Sequence, residues 1–205
     1  MGSCKIKPPI QFVVFLLDLN SILKHIKTIY PILVESEKAL TEICKEVKFL
    51  KGKDVQAIGH TCKTIYFVKT GVVRIYYFKD TIDITESFEF ENAFVARAES
   101  LFTGKPSKKA IQAIEDTVLI AIDSNKLFKL FDSHPDLERL FRKIIENSYV
   151  NTVSRIESLQ FNTAEERYAN LLKDHPNVLM RVPLKLIASY LGITPVSLSR
   201  IRGIK

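Results

Sequence analysis

At Asp123 the hydrophobic pattern of the chain changes period, and that change limits the fold more than any single motif does. Before it, residues 49–122 read as short strands. "TIYFVKTGVVRIYYF" is two β-rich runs about Lys69, Thr70 and Gly71, which predicts a hairpin. "TIDITESFEF" alternates with period two and would turn Ile82, Ile84, Phe88 and Phe90 inward. "KKAIQAIEDTVLIAID" gives two more strands around Glu115 and Asp116. Strands this short and this dense predict a small antiparallel barrel or sandwich.

After Asp123 the pattern is helical. "SNKLFKLFDSHP" predicts a short helix that stops near Pro135. A long helix should follow, from Pro135 to about Leu159. On it Leu137, Leu140, Ile144, Tyr149, Val153 and Ile156 approximate a heptad seam. "TAEERYANLL" opens another helix, with Thr163 and Glu166 as a capping box. Upstream of the strands, residues 21–48 read as helix, with Leu40, Ile43 and Val47 on one stripe.

The last stretch, "LKLIASYLGITPVSLSRIRGIK", reads as two short helices around a tight break. Ile187, Ala188 and Leu191 share one face of the first. Gly192 suits a position of positive φ, Thr194 an N-cap, and Pro195 the first helical residue. Leu198 and Ile201 give the second helix a buried side, leaving Val196, Ser197, Arg200 and Arg202 outward. That face is small, hydroxylated and basic.

Composition is compatible with a nucleic-acid partner without requiring one. Lys plus Arg number 30 against 23 Asp plus Glu, a net charge of +7. With 46% hydrophobic and 26% charged residues, the chain should fold. Cys4, Cys44 and Cys62 form no CxxC pair, which fits a reduced, cytoplasmic setting. His60 and Cys62 are the nearest approach to a metal pair and read as incidental, so neither a metal nor a cofactor is expected. No nucleophile–base pair and no phosphate loop is seen, so no catalytic residue is assigned and an enzyme is not expected. "IQFVVFLLDL" is too short to span a bilayer, and residues 1–20 read as a packing arm. "MGSCKI" carries Ile6 where a myristoylation signal needs Ser or Thr.

These pieces, in this order, resemble the Crp/Fnr family of bacterial transcription regulators. "IYFVKTGVVRIYY" and "AIQAIEDTVLIAIDSNKLFKLF" resemble the beginning and end of the family's cyclic-nucleotide-binding β-roll. "TAEERYANLL" and "RVPLKLIASYLGITPVSLSRIR" resemble its C-terminal module, most closely in the short regulators of Bacteroidetes-type bacteria. The resemblance covers roughly residues 25–205. It implies an α+β chain with four parts: an N-terminal arm (1–20), a β-roll with flanking helices (21–134), a long dimerisation helix (135–161) and a helix-turn-helix (162–205). That last unit is winged-helix-like, with the wing missing or truncated.

By family position, Thr194 and Ser197 should touch phosphates, and Pro195, Val196 and Arg200 should face bases. Val196 stands where the family usually has Glu, so base preference should be altered. Arg202 reads equally as a phosphate contact or a solvated charge, as does Lys205.

Family members that bind cyclic AMP use a Gly-Glu pair and an Arg-Ser/Thr-Ala triplet. The first falls here on Glu91 and Asn92 of "FENAF", without the glycine; the second puts Ser107 in place of the arginine. Lys108 or Lys109 could supply a point charge, but a hydroxyl does not grip a phosphate as a guanidinium does. The expectation is a roll that does not bind cyclic AMP. It is filled by Phe88, Phe90 and Phe94 or takes an unidentified small-molecule effector.

The function read from all this is a sequence-specific DNA-binding regulator acting as a homodimer. Double-stranded DNA, RNA polymerase and that effector are its partners, and no membrane is. The alternative is a ligand-binding or protein-interaction module whose DNA-binding domain has decayed.

Overall fold

The computed structural model describes residues 19–203. The N-terminal arm up to Asp18, Cys4, the "MGSCKI" motif and Lys205 lie outside these residues. The described chain ends in α9, so the wing is not addressed by it.

Two helices lead, α1 (Asn20–Ile29) and α2 (Val34–Glu42). The strands are β1 (Cys44–Phe49), β2 (Asp54–Gln56), β3 (Thr64–Thr70), β4 (Val73–Lys79), β5 (Ile82–Glu89), β6 (Phe94–Val95), β7 (Ala110–Ala113) and β8 (Thr117–Asp123). Helix α3 (Ala98–Thr103) lies between β6 and β7. Then come α4 (Ser124–Leu130), α5 (Pro135–Phe161), α6 (Ala164–Asp174), α7 (Val178–Arg181), α8 (Leu184–Leu191) and α9 (Pro195–Gly203). The helix expected over residues 21–48 is therefore two helices and a strand. Val47 sits opposite Leu119 in the β1–β8 ladder rather than on a helical stripe.

The expected hairpin about Gly71 does not form. β3 and β4 lie in different sheets, ordered β1-β8-β3-β6 and β2-β7-β4-β5, with antiparallel pairing throughout. Gly71, at φ +100°, hands the chain from one sheet to the other. A Cβ there would meet Thr117 Oγ1 at 2.4 Å and Thr117 Cα at 2.8 Å, so the crossing needs a glycine. Between the sheets, Val68, Val73, Ile75, Val95, Ile111 and Leu119 form the roll's own core.

The aromatic filling expected from Phe88, Phe90 and Phe94 is elsewhere. Phe88 and Phe90 pack against the C-terminal helices, and Phe94 packs against Phe67, His25 and Phe141. Ile82 is 61% exposed, not inward. A β-bulge explains the shift: Ile75 pairs with Ser87 and Tyr76 with Thr85, leaving Glu86 as the extra residue. The bulge changes the phase of β5, so Thr85 and Phe88 are its buried positions.

The seam on α5 divides in two. Leu137 and Leu140 are fully buried in the chain's own core with Ile22 and Ile26 of α1. They are thus removed from the expected dimer interface, and Ile144 is partly buried against the same cluster. Burial of each leucine contributes about 1.5–3 kcal/mol to the fold. The helix start is pinned as well. The Asp136 carboxylate accepts from the Leu33 N–H and the Ser36 hydroxyl, both at 2.7 Å, at the N-terminus of α2 where a negative charge is favoured. Beyond it α5 leaves the core, exposing Ile145, Tyr149, Val150, Ile156 and Leu159.

Candidate functional site

Helices α8 and α9 follow their local sequence signals. Ile187, Ala188 and Leu191 are fully buried. Gly192 takes φ +70°, and the Ile193 N–H reaches back to the Ala188 carbonyl at 3.0 Å, closing α8 in a Schellman motif. Thr194 Oγ1 then accepts from the Ser197 N–H at 3.1 Å, and the two hydroxyls are 2.9 Å apart. Leu198 is buried and Ile201 half-buried beneath α9. Outward stand Thr194, Pro195, Val196, Arg200 and Arg202, with Ser197 half-buried. Among the described residues, no acidic side chain belongs to α9.

The helix pair is docked on the roll through β5, an edge strand with unpaired backbone groups. Ser189 of α8 satisfies two of them. Its hydroxyl accepts from the Thr85 N–H (2.9 Å) and donates to the Asp83 carbonyl (3.1 Å). Tyr190 packs on Phe88 with ring centroids 5.2 Å apart, and the Arg155 guanidinium lies 3.9 Å from the Tyr190 ring centroid. His175 stacks on Phe90 at 4.0 Å, and burial lowers its pKa.

A charged tie completes the junction. Arg181 of α7 donates two hydrogen bonds to Glu91 (2.9 and 2.6 Å) and two to Glu115 (3.1 and 2.5 Å). Glu91 also accepts from the Gly71 N–H at 2.9 Å. The Arg181 hydrogen bonds hold the Glu91 carboxyl down at about 2. A depressed carboxylate adds stability that is complete above its ordinary value of 4.5 and is lost as pH falls toward about 2. Solvent reaches both side chains, so the expected increment at pH 7 is no more than about 1 kcal/mol. Arg181→Ala should therefore lower urea stability at neutral pH, and its deficit should shrink between about pH 5 and pH 2. A deficit independent of pH would contradict the pair.

The residues expected to line an effector pocket do not converge. Glu91 is spent on Arg181 and Gly71. Asn92 is a turn residue at φ +70°, its N–H on the Val68 carbonyl. Ser107 is buried, and its hydroxyl serves Lys109, donating to the carbonyl (2.7 Å) and accepting from the N–H (3.2 Å). Lys108 is exposed. Lys109 reaches Glu86, on the β5 bulge, with its Nζ.

Sequence reading missed the charges around that bulge. Arg97 is 7% exposed and follows buried Val95 with one residue between them, the period-two spacing of a strand, although it stands at the N-cap of α3. That alternation was the one available signal. Burial depresses the Arg97 pKa and pushes the Glu89 carboxyl up to about 7. Elsewhere, buried Cys44 has its thiol pushed up to about 12 by desolvation, which makes it a poor nucleophile. Among the described residues, no three His, Cys, Asp or Glu side chains could hold a metal ion. No helix among them is long and apolar enough to cross a membrane.

Residues 46–134 match the family model of the cyclic nucleotide-binding domain. No curated protein matches the chain. Among solved structures, FixK2 from Bradyrhizobium japonicum superposes with a TM-score of 0.69 at 21% identity, covering 78% of this chain and 83% of that one. The c-di-GMP responsive global regulator CLP from Xanthomonas campestris gives 0.65 at 18% identity, covering 82% and 89%. A protein assigned to the Crp/Fnr family of transcriptional regulators, from Eubacterium rectale, gives 0.65 at 18%, covering 82% and 81%. Residues 46–134 thus resemble the cyclic nucleotide-binding domain, and the described chain shares its fold with these solved regulators, one of them assigned to the Crp/Fnr family.

Proposed function

We propose that this chain is a homodimeric, sequence-specific DNA-binding transcription regulator whose roll does not take cyclic AMP. The observation that carries the reading is α9: a capped helix resting on α8 and presenting hydroxyls and arginines outward. Such a face suits the major groove, where an arginine can grip guanine O6 and N7 together. Thr194 and Ser197 hold the helix on phosphates. They share one hydroxyl–hydroxyl bond, which leaves the second proton for a phosphate oxygen. Pro195, Val196 and Arg200 face bases, and Arg202 lies beside the backbone.

The partner along α5 is a second copy. Ile145, Tyr149, Thr152, Ile156 and Leu159 recur by four and three, a heptad seam that the chain itself leaves uncovered. A groove of about 510 Å³ beside it is lined by Phe131, Phe141, Ile145 and Tyr149. Non-binding of cyclic AMP follows from Ser107, whose hydroxyl is already used by Lys109, and from Glu91, held by Arg181. The effector unit, residues 21–134, is then joined by 135–161 to the DNA-binding unit from 162 onward. The regulator works in the cytoplasm beside RNA polymerase.

Titration of DNA binding against salt tests this. With Arg202 of each of two protomers on phosphates, log K should fall against log salt with a slope of about −2 or steeper. A flat dependence would instead favour a protein-interaction module with a decayed DNA-binding helix. Val196, an apolar side chain 61% exposed on α9, is the observation on that side.

A further inference from the structure

Two buried arginines in the roll are treated differently. Every nitrogen of Arg74 has a partner: Nε on Gln112 (2.9 Å), Nη1 on Asp83 (2.6 Å) and Thr85 (3.0 Å), and Nη2 on Asp83 (2.7 Å). Arg97 is not. Its side chain is 8% exposed, its Nε has no partner, and its Nη1 lies 3.8 Å from Glu86 Oε1. A buried guanidinium with an unmatched donor is costly, and 3.8 Å is too long for a hydrogen bond. The same carboxylate also pairs with Lys109 Nζ. One acid thus serves two cations. Glu86 is the acid that reaches Arg97, while Cys62, Glu99 and Glu89 also lie within its electrostatic surroundings. Glu99 is exposed, and Glu89 accepts from the Ser87 hydroxyl at 2.9 Å.

We propose that Arg97 and Lys109 form a binding site for the compact oxyanion group of a small-molecule effector, and that Glu86 occupies this site as an internal substitute. Resting on the reading of the roll as the effector unit, the inference adds a ligand class and a route to the DNA-binding helices. An external oxyanion offers several acceptor oxygens free of the β5 backbone, so it can approach Arg97 more closely than Glu86 does. Glu86 is the bulge residue of β5. Its neighbour Thr85 gives its N–H to Ser189 of α8. Displacing Glu86 therefore alters the strand at the point that grips α8.

The test is calorimetric titration with inorganic sulfate and, separately, acetate, at low ionic strength and pH 6, where Glu89 is largely protonated. Glu86→Gln should bind one of the two at least tenfold more tightly than the unmodified protein does. Lys109→Gln, a half-exposed position where misfolding is not expected, should weaken that binding at least fivefold in the Glu86→Gln background. Preference for sulfate marks a phosphate-like ligand, and preference for acetate a carboxylate. Amide exchange at Thr85 should quicken severalfold in the saturated protein. Equal affinities in Glu86→Gln and the unmodified chain, or insensitivity to Lys109→Gln, would overturn the site. An unchanged Thr85 exchange rate would overturn the relay. No DNA enters these measurements, so they stand or fall apart from the DNA-binding reading.

Discussion

Replacing Ile145 and Ile156 together by Glu is expected to turn the protein into a folded monomer. Both residues lie on the uncovered part of α5, 48% and 50% exposed, and both belong to the proposed seam. Across a two-fold axis each new carboxylate meets surroundings that include its own copy, so two pairs of like charges would be buried, about 16 Å apart along the helix. An unpaired charge in such a place costs about 3–5 kcal/mol. A loss of at least about 4 kcal/mol corresponds to roughly a thousandfold weaker dimer. Glutamate is a good helix former, so thermal unfolding of the protomer should change little. Sedimentation equilibrium reads the result. An unmodified protein that sediments as a monomer, or a double variant that remains a dimer, would refute the seam. The same change at Leu140 would do something else, because that side chain is fully buried against α1: it would unfold the protomer.

Arg200→Ala should cost both affinity and discrimination. A bidentate arginine–guanine contact is worth about 1–3 kcal/mol of discrimination, and a dimer makes two, so about 2–6 kcal/mol in all. Measured against an operator and its single-base-pair variants, the substitution should level the preference at one symmetric pair of positions. Ser197→Ala should weaken all sequences nearly equally, because phosphates carry no base identity. Uniform weakening by Arg200→Ala would make that side chain a phosphate clamp.

The parts of this molecule that were legible in its sequence are those governed by near neighbours. Gly192, Thr194 and Pro195 set the break between α8 and α9 within a few residues, and the structure follows them. The Thr163–Glu166 capping box forms for the same reason. The positions of β3, β4, β5, β7 and β8 were legible too, but β1 read as helix, and strand partners were not legible. Lys69-Thr70-Gly71 looks the same whether the chain turns back in one sheet or crosses to another. The choice lies in residues such as Thr117, which is far away in sequence and whose backbone leaves no room for a Cβ at Gly71. The bulge at Glu86 moved the phase of β5 by one residue, which no alternation pattern contains. On α5, periodicity could not separate Leu137 and Leu140 from Ile145 and Ile156. Both sets are apolar and helical in spacing, and only the presence of α1 assigns the first pair to the protomer core. The Glu91–Arg181 tie joins residues 90 apart, and nothing local announced it.

In the proposed dimer, two copies of α9, held by one α5 pairing, read DNA. Selection of duplexes from a random pool by the unmodified protein tests this most directly. A dimer of helix-turn-helix units should enrich a two-fold symmetric motif. Its half-sites should lie about one helical turn, roughly 10 base pairs, apart centre to centre, or a multiple of it. Each half-site should hold a G·C pair at the position Arg200 reads. A pool that stays random after repeated selection, or a motif without two-fold symmetry, would contradict the account.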